Sequence, residues 1–105
     1  VEFARDWQGR GFNAFKFAAV VADDGAEAEI IALREGLGPR AGIMADLHWR
    51  HAAPDAIRLI RRLEPHGLAF AEAPCAPEDM EGQAAVARAV GVPVALGEEL
   101  RTVFE

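Results

Sequence analysis

The sequence contains a single cysteine, Cys75, among its 105 residues, so it cannot form an internal disulfide. A lone cysteine is typical of proteins in a reducing compartment, and we expect a cytoplasmic location. No apolar run approaches the roughly 18–20 residues of a membrane-spanning helix, and no signal peptide is visible in the mixed, charged start. The net charge of −6 argues against nucleic acid and anionic membranes as partners.

Motifs for nucleotide binding and thiol catalysis are weak or absent. Gly9-Arg10-Gly11 precedes a predicted strand instead of following one, so it does not fit the dinucleotide fingerprint, and no P-loop occurs. Cys75 has no histidine close to it in sequence, which favours a packing role over a nucleophilic one. The sequence therefore supports neither chemistry.

What the sequence does contain is a regular alternation of short apolar runs and amphipathic stretches of helical length. After a helix tail at the start, strands are predicted over 12–18, 41–46, 68–72 and 92–97. Between them, helices are predicted over 26–37, from Pro54 to just before Pro65, and from Pro77 to just before Gly91. The order predicts consecutive parallel strands with right-handed crossovers, either in an open sheet or in an arc of a barrel.

Two local features refine this prediction. Asp23-Asp24-Gly25 is expected to form a turn that also caps the first full helix. Gln83 is expected on the buried side of the last helix, one turn before Val86.

Three acidic residues recur at an interval of 26, from Asp46 to Glu72 and from Glu72 to Glu98, each closing a predicted strand. Active sites of parallel α/β folds form at that edge, and carboxylate oxygens suit a hard cation, Mg²⁺ first. The alternative is that each acid caps the following helix or pairs with arginine. The interval favours Glu98 over its neighbour Glu99 as the third candidate.

Two further residues are candidates for proton transfer or substrate binding near these acids. If the strand persists beyond Asp46, His48 points to the same face, where an imidazole can transfer a proton near neutral pH. The alternative for His48 is a solvated loop residue. Lys16, between Phe15 and Phe17, is expected either in a polar site on the same rim or in a structural ion pair with a neighbouring strand acid.

These residues resemble a known family. The segments that carry the resemblance are Asp46-Leu47-His48, Phe70-Ala71-Glu72-Ala73-Pro74 and Ala95-Leu96-Gly97-Glu98-Glu99. They resemble the enolase superfamily, mandelate racemase subgroup, and within it the acid-sugar dehydratases of the galactonate type. The resemblance runs through essentially the whole chain. It implies a segment of a (β/α) TIM-type barrel, with about four strands and three helices, whose capping domain and later strands lie outside residues 1–105.

The resemblance also implies a chemistry. Mg²⁺ would be bound by Asp46, Glu72 and Glu98, and a sugar acid (an aldonate or aldarate) would lose its α-proton to give an enediolate. Loss of water would then give a 2-keto-3-deoxy acid, with His48 as the acid that protonates the departing hydroxyl. Many members carry Lys-Xaa-Lys at the strand of Lys16, and Ala18 replaces the second lysine, which disfavours racemases that depend on it.

The base is expected beyond Glu105, so the isolated segment is expected to be inactive. The implied partner is a small-molecule sugar acid, and the whole protein is expected to be a homo-oligomer. Two alternatives stay open: a racemase or cycloisomerase of the same superfamily, and a non-catalytic α/β domain that uses its rim for protein contacts.

Overall fold

The computed structural model describes residues 1–19 and 23–105. Its helices are α1 (Glu2–Gly9), α2 (Asp23–Leu37), α3 (Ala53–Leu63) and α4 (Met80–Ala89), with a short 3₁₀ helix at Glu64–His66. Its strands are β1 (Ala14–Ala18), β2 (Gly42–Asp46), β3 (Leu68–Glu72) and β4 (Val94–Ala95). The strands form one sheet in the order β1-β2-β3-β4, and every neighbouring pair is parallel. The predicted α/β class with consecutive parallel strands is confirmed.

The helices pack side by side along the sheet, α1 against α2, α2 against α3 and α3 against α4. Because strand side chains alternate between faces, one set of strand residues packs into the core with the helices. Phe17, Ile43, Ala45 and Ala71 belong to this buried set. The side chains between them, including Lys16, lie on the other face and are partly or largely exposed. Within the described residues, no helix is long and apolar enough to cross a membrane.

Helix α3 shows how the sequence produces the buried side of this arrangement. Pro54 lies in its first turn, where a missing N–H costs no helical hydrogen bond. Ala56, Leu59, Ile60 and Leu63 follow at helical spacing and are all buried. Full burial of each large aliphatic side chain contributes about 1.5–3 kcal/mol, so this stripe fixes α3 against the sheet.

Several predicted boundaries differ from the structure. Helix α4 begins at Met80 instead of Pro77, because Asp79 is its N-cap and accepts from the Gly82 N–H. Asp23, Asp24 and Gly25 belong to the first turn of α2 instead of a separate turn. Strand β1 begins at Ala14, because the Phe12 N–H donates to the Trp7 carbonyl beyond the end of α1. Strand β2 begins at Gly42, one residue later than predicted. The last strand is reduced from 92–97 to Val94–Ala95, since it pairs with β3 alone among the described strands.

Arg34 joins α2 to the loops at the N-terminal edge of the sheet. Its guanidinium donates to four backbone carbonyls, those of Gly38, Ala41, His66 and Gly67, at 2.7–3.1 Å. We expect Arg34→Met in the intact protein to lower the free energy of unfolding by about 2–4 kcal/mol, because several carbonyls lose a charged donor. Urea denaturation measures this change.

Arg62 provides the matched control for this prediction. Among the described residues, its guanidinium forms ion pairs with the exposed carboxylate of Asp24 and the partly exposed carboxylate of Glu27. Exposed ion pairs contribute little, so Arg62→Met should shift the urea midpoint far less than Arg34→Met. Equal shifts in the two variants would contradict the role assigned to Arg34.

Candidate active site

The first two predicted carboxylates lie side by side at the C-terminal ends of β2 and β3. Asp46 and Glu72 are register partners, and their side chains are 16% and 20% exposed. The backbone ladder continues past them: the Ala19 N–H donates to the Asp46 carbonyl and the Leu47 N–H to the Glu72 carbonyl, each at 2.8 Å. Both carboxylates therefore project from hydrogen-bonded, well-fixed backbone.

The Lys16 ammonium lies between these two carboxylates. Its Nζ is 2.5 Å from Glu72 Oε2 and 3.8 Å from Asp46 Oδ2. The hydrogen bond to Glu72 raises the pKa of Lys16, partial burial opposes the rise, and the charges of Glu72, Asp46 and Glu98 add to it. A cation thus already sits where the acids converge, in the ion pair that the sequence allowed as an alternative.

Lys16 is not at a strand tip. It lies in the middle of β1 and pairs in register with Met44, two residues before Asp46. The Lys16 backbone therefore does not lie at the strand ends with the acids. Its side chain reaches them, because it is long enough to extend from β1 to Glu72 on β3.

Glu98, the third predicted carboxylate, is exposed and follows the short strand β4. It lies in a turn closed by the Leu100 N–H, which donates to the Gly97 carbonyl at 3.0 Å. Glu98 is close enough to act on the pKa of Lys16. Across residues 1–19 and 23–105, however, no group of three His, Cys, Asp or Glu side chains is close enough to hold a metal ion.

Glu99 has a different environment from Glu98. One of its carboxylate oxygens is buried and has no hydrogen-bond partner within the described chain. Glu98 as the third metal ligand, in preference to Glu99, stays a prediction.

His48 is placed by a turn and not by the strand. Strand β2 ends at Asp46, and His48 has a left-handed backbone (φ 53°) and is exposed. The condition for His48 to share the face of Asp46, a strand that persists beyond Asp46, is not met, and His48 is an exposed loop residue, as in the alternative. The His48 N–H donates to Asp46 Oδ1 at 3.0 Å, since aspartate readily accepts from the backbone two residues on. This contact orients the Asp46 carboxylate, while its other oxygen, Oδ2, is the one nearest Lys16.

The loop that carries His48 is hydrogen-bonded to the loop that follows Glu72. The Trp49 N–H donates to the Ala73 carbonyl at 2.7 Å, and the His51 N–H donates to the Pro74 carbonyl at 3.2 Å. The His48 ring packs on the Trp49 ring, with centroids 4.8 Å apart. The two loops therefore form one hydrogen-bonded rim beside the carboxylates.

Cys75 and Gln83 stabilise one of these two loops, the loop that follows Glu72. Cys75 is fully buried, and burial raises the pKa of its thiol, which favours the predicted packing role over nucleophilic chemistry. The Gln83 side chain, also buried, hydrogen-bonds both the N–H and the carbonyl of Cys75. Sequence reasoning placed Gln83 on the buried side of its helix but missed this contact. The available signal was a polar side chain within a buried stripe.

The donor chemistry at the sheet edge fits a hard divalent cation. Asp46 and Glu72 present carboxylate oxygens to one cationic group, and a Mg²⁺ ion typically takes one or two carboxylates together with water or substrate oxygens. The fit to a three-ligand metal site is incomplete, because within the described residues Glu98 does not form a cluster with Asp46 and Glu72.

Residues 1–105 match the family described as enolase C-terminal domain-like. The chain belongs to this family. D-galactonate dehydratase of Xanthomonas oryzae pv. oryzae is a relative of this chain: the two are 32% identical over 109 residues, which cover 95% of the chain and 28% of the relative. The 3,6-anhydro-alpha-L-galactonate cycloisomerase of Streptomyces coelicolor is 34% identical over 96 residues, covering 90% of the chain and 27% of the relative.

Solved structures of the same superfamily agree with the fold. An enolase superfamily member from Agrobacterium tumefaciens superposes with a TM-score of 0.94 at 51% identity, over 98% of this chain and 26% of that one. A racemase from Streptomyces coelicolor with bound magnesium gives 0.91 at 32% identity, over 98% and 29%. The predicted superfamily and barrel-type fold are confirmed, and the chain spans between a quarter and a third of the length of these proteins.

Proposed function

We propose that this chain is the part of a Mg²⁺-dependent acid-sugar dehydratase that carries the metal ligands. The observation that carries the proposal is the Asp46–Glu72 pair, held in register at one sheet edge with a cationic group between the two carboxylates. The D-galactonate dehydratase relatives support an aldonate or aldarate as the substrate class. A capping domain and the later barrel strands belong to the same protein in this proposal, outside residues 1–105.

The metal ligands are Asp46, Glu72 and Glu98. A Mg²⁺ ion held there would supply positive charge against the substrate carboxylate as the α-proton leaves. The Lys16 ammonium donates to Glu72 in this structure. In the proposal it also donates to the substrate carboxylate and orients it. A later strand supplies the base that accepts the α-proton.

His48 acts on the other half of the reaction. As the C–O bond at the neighbouring carbon breaks, the His48 imidazolium gives its proton to the departing hydroxyl, which leaves as water, and the resulting enol becomes the 2-keto-3-deoxy acid. Two observations support this role: the His48 ring is exposed at the carboxylate edge, and its backbone is tied to Asp46. Ala18 stands at the place of a second lysine that is a base in many members, which agrees with the dehydratases that use histidine instead.

The test uses the intact protein with a panel of aldonates and aldarates. We expect formation of a 2-keto-3-deoxy acid that depends on Mg²⁺ and stops when EDTA removes it. His48→Asn should lower water loss by about 10²–10⁴-fold, the usual contribution of a general acid, while exchange of the α-proton with solvent deuterium continues. His66→Asn is the matched control, because His66 lies at the opposite end of β3.

A cycloisomerase is the second candidate, favoured by the 34% identity to the Streptomyces coelicolor enzyme. In that case the intact protein would convert an anhydro sugar acid without releasing water. Failure of every aldonate and aldarate, combined with α-proton exchange into an anhydro-galactonate, would replace the dehydratase proposal with this one. No Mg²⁺ binding in calorimetry would contradict both.

A further inference from the structure

Among the side chains whose burial the structure describes, at residues 1–19 and 24–105, Gln83 is the one buried polar or charged side chain, with 3% exposure. Its Nε2 donates to the Cys75 carbonyl at 2.8 Å, and its Oε1 accepts from the Cys75 N–H at 3.3 Å. The two bonds close a ring between α4 and the loop after β3. A buried amide that satisfies both groups of one residue restrains the position and the orientation of that backbone.

The restrained backbone lies three residues after Glu72. Ala73, directly after Glu72, has a left-handed backbone (φ 49°), which is unfavourable for a residue with a Cβ and persists only when its surroundings enforce it. The Ala73 and Pro74 carbonyls, between Glu72 and Cys75, accept the N–H groups of Trp49 and His51. One continuous set of hydrogen bonds thus runs from Gln83 to the loop that holds His48.

We infer that Gln83 is a positioning residue for the candidate active site, which fixes the loop after Glu72 and, through it, the loop that carries His48. Gln83 itself lies on α4 behind the sheet and touches neither carboxylate nor imidazole. The inference rests on the proposed function for the roles of Glu72 and His48, but the contacts that carry it do not depend on that function.

The variant that tests the inference is Gln83→Met, which keeps the volume and removes both bonds. Gln8→Met is the matched control, because Gln8 also donates its Nε2 to a backbone carbonyl, that of Leu37 at 2.9 Å, remote from the carboxylate edge. Hydrogen exchange of the intact protein without Mg²⁺, read by mass spectrometry, should be about tenfold faster or more over residues 47–53 and 73–76 in Gln83→Met. It should stay unchanged there in Gln8→Met.

A purely structural role would raise exchange throughout α4 and lower stability without reaching the loop of His48. Unchanged exchange over residues 47–53 in a folded Gln83→Met protein would therefore overturn the inference. If Gln83→Met does not fold, Gln83→Glu replaces it, since its carboxyl still accepts from the Cys75 N–H but loses the amide donor. Faster exchange over 47–53 than in Gln8→Met is again the expected result.

A second readout connects the inference to catalysis. In Gln83→Met we expect kcat to fall by about tenfold or more, as reacting groups lose their alignment, with a smaller change in KM. Failure of the inference about Gln83 can be distinguished from failure of the proposed function. If the wild type binds no Mg²⁺ and dehydrates no sugar acid, the proposed function fails, yet exchange over 47–53 still decides whether Gln83 controls the rim.

Discussion

Glu72→Gln should remove nearly all activity of the intact protein, by about 10²–10³-fold or more, because it deletes a charge aimed at the reacting centre. The same change should weaken Mg²⁺ binding measured by calorimetry. Glu72 has two roles in the proposal: it is a predicted metal ligand, and its Oε2 holds the Lys16 ammonium at 2.5 Å. Glutamine keeps the shape of the side chain but offers a neutral oxygen to both cations.

Glu78→Gln is the control for this substitution. Glu78 lies in the loop between β3 and α4 and is exposed, so the variant makes the same change of charge near the rim without touching the carboxylate pair. Its turnover and Mg²⁺ affinity should match the wild type. If Glu72→Gln lost activity with an unchanged dissociation constant for Mg²⁺, Glu72 would act through Lys16 alone and the metal assignment would be wrong.

The register explains why the Asp46–Glu72 pair was predictable from the sequence. Each acid closes an apolar run at a similar distance from the preceding helix, and parallel strands joined by such units end at the same edge. Strands β2 and β3 therefore bring the two residues into register, as the interval of 26 indicates. The strand ends follow from these apolar runs, whereas the exact alignment of the two acids depends on the ladder: its register shifts by one residue between Ile43, which lies opposite Leu68, and Met44, which lies opposite Phe70.

The third carboxylate did not follow from pattern in the same way. Strand β4 is only Val94–Ala95, and Gly97 (φ 138°) starts a turn before Glu98 is reached. The length of a strand depends on pairing with its neighbours, and β4 pairs only with β3 among the described strands. An interval along the chain therefore places Glu98 near the correct edge without fixing its side chain.

His48 and Gln83 show two other limits of sequence reasoning. The left-handed turn at His48 depends on a hydrogen bond to Asp46, a short-range feature that overrides strand alternation. The partner of Gln83 lies eight residues away on a loop whose path depends on Ala73, so burial was predictable and the contact was not. In both cases a side chain–backbone hydrogen bond decided the geometry.

Lys16→Met should separate metal binding from turnover, and it is the second variant for which we expect a large effect. The Lys16 ammonium contacts Glu72 and lies 3.8 Å from Asp46, so a divalent ion that approaches these oxygens must displace or repel it. Removing the ammonium should therefore tighten Mg²⁺ binding. Lys16 is 43% exposed, so solvent screens much of the repulsion, and we expect about 1–2 kcal/mol, or about five- to thirty-fold in the dissociation constant.

Turnover of the same variant should fall by about 10²-fold or more, since the substrate carboxylate loses its cationic donor and its orientation. Lys16→Arg keeps the charge on a similarly long side chain and should leave Mg²⁺ affinity close to the wild type. Arg58→Met controls for a general loss of positive charge, because the ion pair that Arg58 forms within the described part of the chain is with Asp55, on the exposed side of α3. Weaker Mg²⁺ binding in Lys16→Met would mean that the ammonium organises the carboxylates for the metal instead of competing with it, and the proposed roles of Lys16 and Mg²⁺ at this edge would have to be revised.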